Sequence, residues 1–178
     1  MTRACLAAAA LCLIALAPLL AADMVVQACF SPQGKCSSHI LREIETAKKE
    51  LLVAVYAFTN DELANALVQA RKRGVAVQVI VDREFDLANE TSKGKFFEAQ
   101  KIPLRRVSGV KAKTQERDGG LMHQKFAVID RRIVFTGSYN WTRSADNLND
   151  ENLLLFRDAG QLAEEYRGVF LRLWERKQ

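Results

Sequence analysis

The sequence predicts an α/β protein in which a mixed, largely parallel β-sheet is flanked by helices on both faces. Short apolar runs at 51–58 and 75–82 have the length and composition of buried strands. The segments that separate such runs carry apolar residues at helical spacing. Strands and helices that alternate along a chain are typical of a sheet covered by helices on each side.

The first half of the chain contains five predicted elements: strand 24–30, helix 39–50, strand 51–58, helix 61–73 and strand 75–82. The second helix has the clearest signals. Asn60 precedes it and can accept hydrogen bonds from its first free N–H groups, and Gly74 ends it. Leu63 and Leu67 share one face, which predicts that this face packs on the sheet.

The second half predicts a helix around 93–101, a short strand at 103–107, strands 121–130 and 132–138 joined at 130–132, strand 151–158 and helix 162–177. Pro103 ends the first of these helices. Residues 108–120 are polar and predict a loop. The last helix is amphipathic, so we expect one of its faces to cover the sheet.

Residues 1–22 have the pattern of a secretory signal peptide: one basic residue, an apolar run and the small pair Ala21–Ala22. A permanent membrane anchor is the alternative, because the run is just long enough to span a bilayer. Pro18 and the small pair favour cleavage. We therefore expect an exported protein, periplasmic or secreted, with a single domain at 23–178 and no stable membrane span after leader removal.

The composition of the chain excludes few classes of protein. The chain has 178 residues and a formal net charge of +5, which weakly indicates a polyanionic partner. No internal repeat is visible, which excludes repeat architectures.

Cysteine usage bears on export and on metal binding. Beyond the leader only Cys29 and Cys36 remain, separated by a turn-forming segment. In an oxidising compartment a disulfide between them is expected, with two free thiols as the alternative. Two cysteines cannot form a zinc site by themselves, and the two histidines, His39 and His123, show no metal-ligand spacing. We expect no metal and no cofactor.

The segment HQKFAVID places His123 and Lys125 two residues apart in a predicted strand, where alternate side chains share a face. Asp130 completes an H-x-K-x4-D pattern. After six intervening residues, Gly137, Ser138 and Asn140 form G-S-x-N. Either half alone is an ordinary polar strand edge or turn. Together, at this spacing, they indicate a site.

These two halves resemble the phospholipase D superfamily, which takes its name from the H-K-D motif. Over about 30–178 the order of elements is similar to the short, exported bacterial endonuclease branch of that superfamily. Glu151 in the segment DEN matches the acidic residue that follows G-S-x-N in that branch. The resemblance implies the fold, a phosphodiesterase activity that needs no metal, and the residue roles below.

The implied chemistry suits these residue types. A phosphodiester is negatively charged, and Lys125 and the Asn140 amide can donate hydrogen bonds to its phosphoryl oxygens. His123 can attack phosphorus and form a phosphohistidine that water later hydrolyses. By resemblance, Glu151 would hold the other ring nitrogen and so set the tautomer.

Three further motif residues have supporting roles by resemblance. Ser138 would form a hydrogen bond near the phosphate, and Asp130 would be a structural partner at the strand end. Gly137 would let the backbone pass close to the site. Asp130 can also be a plain turn residue, and Glu151 a solvated strand start.

The superfamily mechanism uses two histidines, one as nucleophile and one as general acid, whereas this chain carries one motif. His39 has no lysine two residues on, so we interpret it as an exposed or capping residue. The short members of the superfamily resolve this by forming a homodimer with the two motifs at the two-fold axis. The resemblance therefore implies a homodimer with a shared active site.

The candidate substrate is nucleic acid, DNA or RNA, cleaved without sequence preference. A basic groove with an aromatic residue suits a phosphate backbone, and we assign to it Arg105, Arg106, Lys111, Lys113, Arg117, Arg143 and Trp141. A solvated charged loop and a core tryptophan are the alternatives. Two other functions stay open: a phospholipase D acting on phosphatidyl lipids, and a non-catalytic DNA-binding or DNA-transfer protein.

Overall fold

The computed structural model describes residues 23–110 and 120–177. The predicted leader at 1–22 lies outside the described residues. The elements in chain order are β1 (Val25–Ser31), α1 (Cys36–Thr46), β2 (Glu50–Val55), α2 (Asp61–Lys72), β3 (Ala76–Asp82), α3 (Arg83–Ala88), α4 (Gly94–Ala99), β4 (Leu104–Val107), β5 (Lys125–Ile129), β6 (Ile133–Gly137), α5 (Arg143–Asn147), β7 (Glu151–Arg157) and α6 (Gly160–Glu175).

The strands form one seven-stranded mixed sheet in the order β1-β7-β6-β5-β2-β3-β4. The predicted mixed sheet is confirmed, but it is not largely parallel. In the described part of the chain only the β2–β3 and β3–β4 pairs are parallel, while β1–β7, β7–β6, β6–β5 and β5–β2 are antiparallel. The reason is the connections: helices link β2 to β3 and β3 to β4, whereas a three-residue turn joins β5 to β6.

Helices cover both faces of the sheet, as predicted. Ile40 of α1, Leu67 of α2 and Phe97 of α4 are buried in one core cluster against residues such as Val53. Phe170 of α6 belongs to a second cluster with the alternate residues of the same strands. Because successive strand residues point to opposite faces, β2 and β5 contribute to both cores and must be apolar throughout.

Local signals explain where several elements begin and end. The Asn60 side chain accepts hydrogen bonds from the backbone N–H groups of Glu62 and Leu63, which caps α2 as predicted. Gly74 follows α2 with a φ of 93°, a conformation that favours glycine. The strand expected at 121–130 begins only at Lys125, so His123 lies in the segment that leads into it.

Cys29 and Cys36 form the expected disulfide, with their Cα atoms 5.8 Å apart. The bond joins the edge strand β1 to the first residue of α1 and closes a short loop. No helix in the described residues is long and apolar enough to cross a membrane.

Candidate active site

The topology brings both halves of the motif to one end of the sheet. β2 and β3 end there, at Val55 and Asp82, and β6 ends there at Gly137. The antiparallel strands β5 and β7 begin there, at Lys125 and Glu151. We call this the site end of the sheet.

Two consecutive backbone N–H groups at the end of β2 join the motif halves. Tyr56 N donates to Gln124 O at 2.8 Å, and Ala57 N donates to Asn140 Oδ1 at 3.2 Å. The first bond holds the segment between the histidine and the lysine, and the second holds the amide of the other half. Because the Asn140 oxygen is occupied, its Nδ2 is the group that is free to donate to a ligand.

Lys125 lies beside the candidate nucleophile. Its Nζ donates to His123 O at 3.0 Å and lies 5.4 Å from the centroid of the Tyr56 ring. Partial burial lowers the pKa of Lys125, while the nearby Glu151 carboxylate acts in the opposite direction. A partly desolvated ammonium interacts more strongly with a phosphate than one in bulk water does.

The His123 imidazole is exposed and contacts the Tyr56 ring, with ring centroids 4.9 Å apart. Tyr56 in turn contacts Phe85, with centroids 5.2 Å apart. Within the described residues neither ring nitrogen of His123 has a hydrogen-bond partner. An exposed nitrogen without a partner is free to approach a phosphorus atom.

Glu151 does not contact His123 within the described part of the chain. Its Oε2 accepts from Ser138 Oγ at 2.5 Å, and its Oε1 accepts from Asn149 Nδ2 at 3.0 Å. Ser138 Oγ also accepts from Asn152 N at 3.0 Å. Ser138 therefore positions the carboxylate and the start of β7, and the pairing of Glu151 with His123 stays a proposal.

Gly137 is required by close packing. Its φ is 148°, and a Cβ atom there would lie 2.3 Å from Asn152 O. The close approach lets Ser138 N and Tyr139 N both donate to Asn152 O. The turn after β6 is thereby held in place, with Asn140 directed at the end of β2.

Asp130 lies at the opposite end of β5, about 17 Å from Lys125 at the usual rise per strand residue. Its carboxylate accepts from the backbone N–H groups of Lys48, Lys49 and Glu50 at 2.8, 2.6 and 3.0 Å. It ties the β5–β6 turn to the beginning of β2. The third letter of the H-K-D motif therefore supports the sheet and does not contact the site.

Two of the residues predicted to bind nucleic acid have their side chains engaged inside the protein. Arg106 is bound internally, with its guanidinium 2.6 Å from Asp86 and 2.5 Å from Glu98, and these carboxylates raise its pKa. Trp141 is only 1 % exposed and packs on Phe58. The short strand β4, which pairs in parallel with β3, directs Arg106 inward. The segment after β6 brings Trp141 back to the core.

The other predicted basic residues have different placements. Arg105 Nη2 donates to Arg176 O at 3.0 Å. Arg143 is largely exposed and pairs with Asp61 at 2.8 Å, near the site end. Lys111, Lys113 and Arg117 lie outside the described residues.

Sequence reasoning missed two aromatic residues of the site. Tyr56 and Phe85 border an open cleft of about 500 Å³ whose other lining residues include Glu84, Asn89 and Glu90. The available signal was positional: Tyr56 directly follows the buried β2, and Phe85 comes three residues after the end of β3. Side chains at the same ends of parallel strands meet in space. No group of three or more His, Cys, Asp or Glu that could hold a metal ion occurs in the described residues.

The comparisons with known sequences agree on one family. The sequence profile described as "Cardiolipin synthase, PLD-like domain" matches residues 40–174. The mitochondrial cardiolipin hydrolase of Canis lupus familiaris is 35 % identical over 152 residues, covering 83 % of this chain and 54 % of that protein. A phospholipase D of Rickettsia prowazekii is 34 % identical over 141 residues, covering 79 % of this chain and 63 % of that protein. The chain thus spans between half and two thirds of these relatives.

Two solved structures share the fold over nearly their whole length. Nuc from Salmonella typhimurium, described as a phospholipase D family member, superposes with a TM-score of 0.76 at 28 % identity, covering 88 % of this chain and 97 % of Nuc. NucT from Helicobacter pylori superposes with a TM-score of 0.79 at 28 % identity, covering 86 % of this chain and 97 % of NucT.

Proposed function

Because this chain belongs to the phospholipase D superfamily, we propose that it is a phosphodiester hydrolase that uses His123 as its nucleophile. The observation that carries the proposal is the convergence of His123, Lys125 and Asn140 at the site end. These groups come from two separate strand ends, and the backbone of Tyr56 and Ala57 holds them together. If all three residues had only structural roles, there would be no reason for an exposed imidazole to lie beside a partly desolvated ammonium group.

The reaction has two steps. In the first, a ring nitrogen of His123 bonds to phosphorus, the bond from phosphorus to the leaving oxygen breaks, and a second imidazole gives that oxygen a proton. In the second, water gives up a proton to that imidazole and attacks the phosphohistidine, which releases the product phosphate ester and free His123. Lys125 and Asn140 Nδ2 stabilise the phosphoryl oxygens in both steps.

We propose that the second imidazole is His123 of another copy of this chain. One chain supplies one motif, and His39 is not in the site, since its ring contacts Gln27 and Arg42. Large exposed apolar side chains lie around the site end: Phe30, Leu87, Leu121 and Leu148. A homodimer that joins two site ends would cover them. Within it, Glu151 would meet an imidazole after rotation of His123 or across the interface.

Mixed dimers test the shared site. When wild-type and His123→Asn chains are mixed under conditions where subunits exchange, activity on DNA is expected to fall roughly with the square of the wild-type fraction. The reason is that a dimer with one imidazole lacks either nucleophile or acid. A linear fall, with exchange shown by labelled subunits, would place the proton donor within a single chain.

Nucleic acid is the first candidate substrate. Within this class we propose DNA, cleaved without sequence preference. Arg143 lies near the site end. In the sequence, the basic residues at 111–117 precede His123 by a few positions. Basic side chains bind phosphates and do not by themselves select a base, so phosphate recognition would dominate. Phospholipid is the second candidate. Two observations favour it: the relatives are named as phospholipid hydrolases, and Arg106 and Trp141 are bound within the protein and so are not available to a nucleic acid.

Export completes the proposal. We propose that residues 1–22 are a cleaved signal peptide, that 23–178 form the single functional domain, and that the protein acts in the periplasm or outside the cell. The disulfide between Cys29 and Cys36 supports an oxidising compartment.

A substrate panel with excess EDTA separates the candidates. The purified protein is expected to nick supercoiled plasmid at many positions, and EDTA is expected to leave the rate unchanged because only protein groups act on the phosphate. Vesicles of phosphatidylcholine and of cardiolipin serve as the lipid arm. Hydrolysis of lipid alone would select the phospholipase, DNA binding without cleavage would select the non-catalytic protein, and strict dependence on magnesium or zinc would contradict the proposed chemistry.

A further inference from the structure

The described part of the chain contains two buried carboxylates, Asp82 and Asp86, which are 1 % and 7 % exposed. A buried carboxylate is costly unless hydrogen bonds compensate for the lost water. The partners of each carboxylate therefore show which parts of the molecule it holds together, and the two sets of partners differ.

Asp82 joins three segments that surround His123. Its Oδ1 accepts from Phe85 N at 2.9 Å, which caps α3. Its Oδ2 accepts from Met122 N at 2.9 Å, across 40 residues of sequence. Its own backbone N–H donates to Tyr56 O at 3.4 Å. One residue thus bonds to the backbone of Tyr56 and Phe85, whose rings form the aromatic border of the cleft, and to the backbone of Met122, directly before the nucleophile.

The nucleophile itself has few other restraints. The His123 side chain forms no hydrogen bond within the described residues, and the aromatic ring that it packs against there is Tyr56. Its placement therefore depends on the backbone on either side. On the C-terminal side, Gln124 O accepts from Tyr56 N. On the N-terminal side, Met122 is buried and its N–H is bound by Asp82.

We infer that Asp82 is a positioning residue that aligns His123 with the phosphate through Met122 and keeps the Tyr56–Phe85 border against the imidazole. The inference rests on the proposed role of His123 as nucleophile. Lys125 and Asn140, which would bind the phosphate, are bonded to His123 O and Ala57 N and form no hydrogen bond with Asp82. Loss of the Asp82 contacts therefore affects attack more than substrate binding, because attack is the step most sensitive to small displacements.

Asp86 provides the matched control. Its carboxylate accepts from Ser92 Oγ, from Gly94 N at 3.0 Å and from Arg106 Nε at 2.6 Å. These bonds join α3 to α4 and β4 and include no residue of the site. Asp82→Asn and Asp86→Asn both remove one acceptor from a buried cluster, so both are expected to lower the melting temperature.

Only the Asp82 variants are expected to lower kcat. Asp82→Asn can accept at one position only, so one of the Phe85 and Met122 N–H groups loses its partner. Asp82→Ser retains a capping oxygen for α3 but is too short to reach Met122. We expect kcat to fall about 10- to 100-fold in both variants, with KM within about threefold of wild type. Asp86→Asn is expected to keep at least half of the wild-type kcat.

Hydrogen exchange at the Met122 amide gives a readout that does not depend on activity. It is expected to accelerate in Asp82→Ser, whose hydroxyl does not reach Met122, and not in Asp86→Asn. Asp82 variants with wild-type kcat would overturn the inference, as would a kcat loss shared equally by Asp86→Asn. A wild-type protein that hydrolyses no phosphodiester, or an active His123→Asn, would instead refute the proposed function, whereas the exchange result would still show whether Asp82 holds Met122.

Discussion

Replacement of His123 by asparagine is expected to lower turnover by at least about 10⁴-fold, because it removes the group that is proposed to form the covalent intermediate. The fold should persist, since the side chain is exposed and forms no hydrogen bond within the described residues. We expect the free energy of unfolding to change by no more than about 0.5 kcal/mol. Initial rates on the preferred substrate, with denaturant unfolding in parallel, measure both quantities.

His39→Asn is the matched control for this substitution. It makes the same chemical change at the other histidine, whose Nδ1 accepts from Arg42 Nη2 at 2.8 Å on α1. Its activity should stay near that of wild type. A phosphoryl group trapped on protein by rapid acid-free quenching should appear in wild type and His39→Asn only. Substantial turnover by His123→Asn would remove the histidine from the mechanism.

Lys125→Ala is expected to lower kcat/KM by about 10²- to 10³-fold, the usual cost of removing one preorganised donor from a developing charge. Lys125 is the one charged member of the proposed phosphate-binding pair, and its partial burial strengthens its attraction for an anion. The substitution also removes the bond from Nζ to His123 O. Steady-state kinetics on a single substrate measure the loss. A decrease of less than about fivefold would show that the ammonium does not contact the phosphate.

Lys125→Arg adds a pH test of the same group. Burial lowers the pKa of Lys125, so its charge is lost at a lower pH than that of an ordinary lysine as the pH rises. An arginine keeps its charge throughout this range. The ratio of Lys125→Arg to wild-type kcat/KM should therefore increase at alkaline pH, and effects of the histidines cancel in that ratio. A ratio that is constant with pH would mean that the Lys125 charge is not required.

Local sequence signals were sufficient where one segment decides the outcome. Asn60 predicted the start of α2, Gly74 its end, and the turn residues between Cys29 and Cys36 the disulfide. Each depends on contacts within a few residues. In contrast, the sequence analysis did not predict α3 and α5, because helices of six and five residues show too little periodicity to be recognised.

Contacts between distant segments limited the prediction of the site. Trp141 and Arg106 have the residue types of a nucleic-acid surface, yet one is packed against Phe58 and the other pairs with Asp86 and Glu98. Composition cannot show such partners, since they come from other elements. The same is true of Glu151, whose oxygens are occupied by Ser138 and Asn149.

The resemblance to the family and the choice of His123, Lys125 and Asn140 as the candidate site depend on motif spacing, and the α/β class depends on apolar periodicity. Both are properties of the chain alone. Three features became visible only in three dimensions: most of the described strand pairs are antiparallel, Asp130 lies at the far end of β5, and Asp82 binds the segment before His123. The hydrogen bonds of Asp82 with Met122 and of Asp130 with Lys49 span 40 and 81 residues. Their partners are chosen by the way strands and helices pack in three dimensions, which no local pattern records.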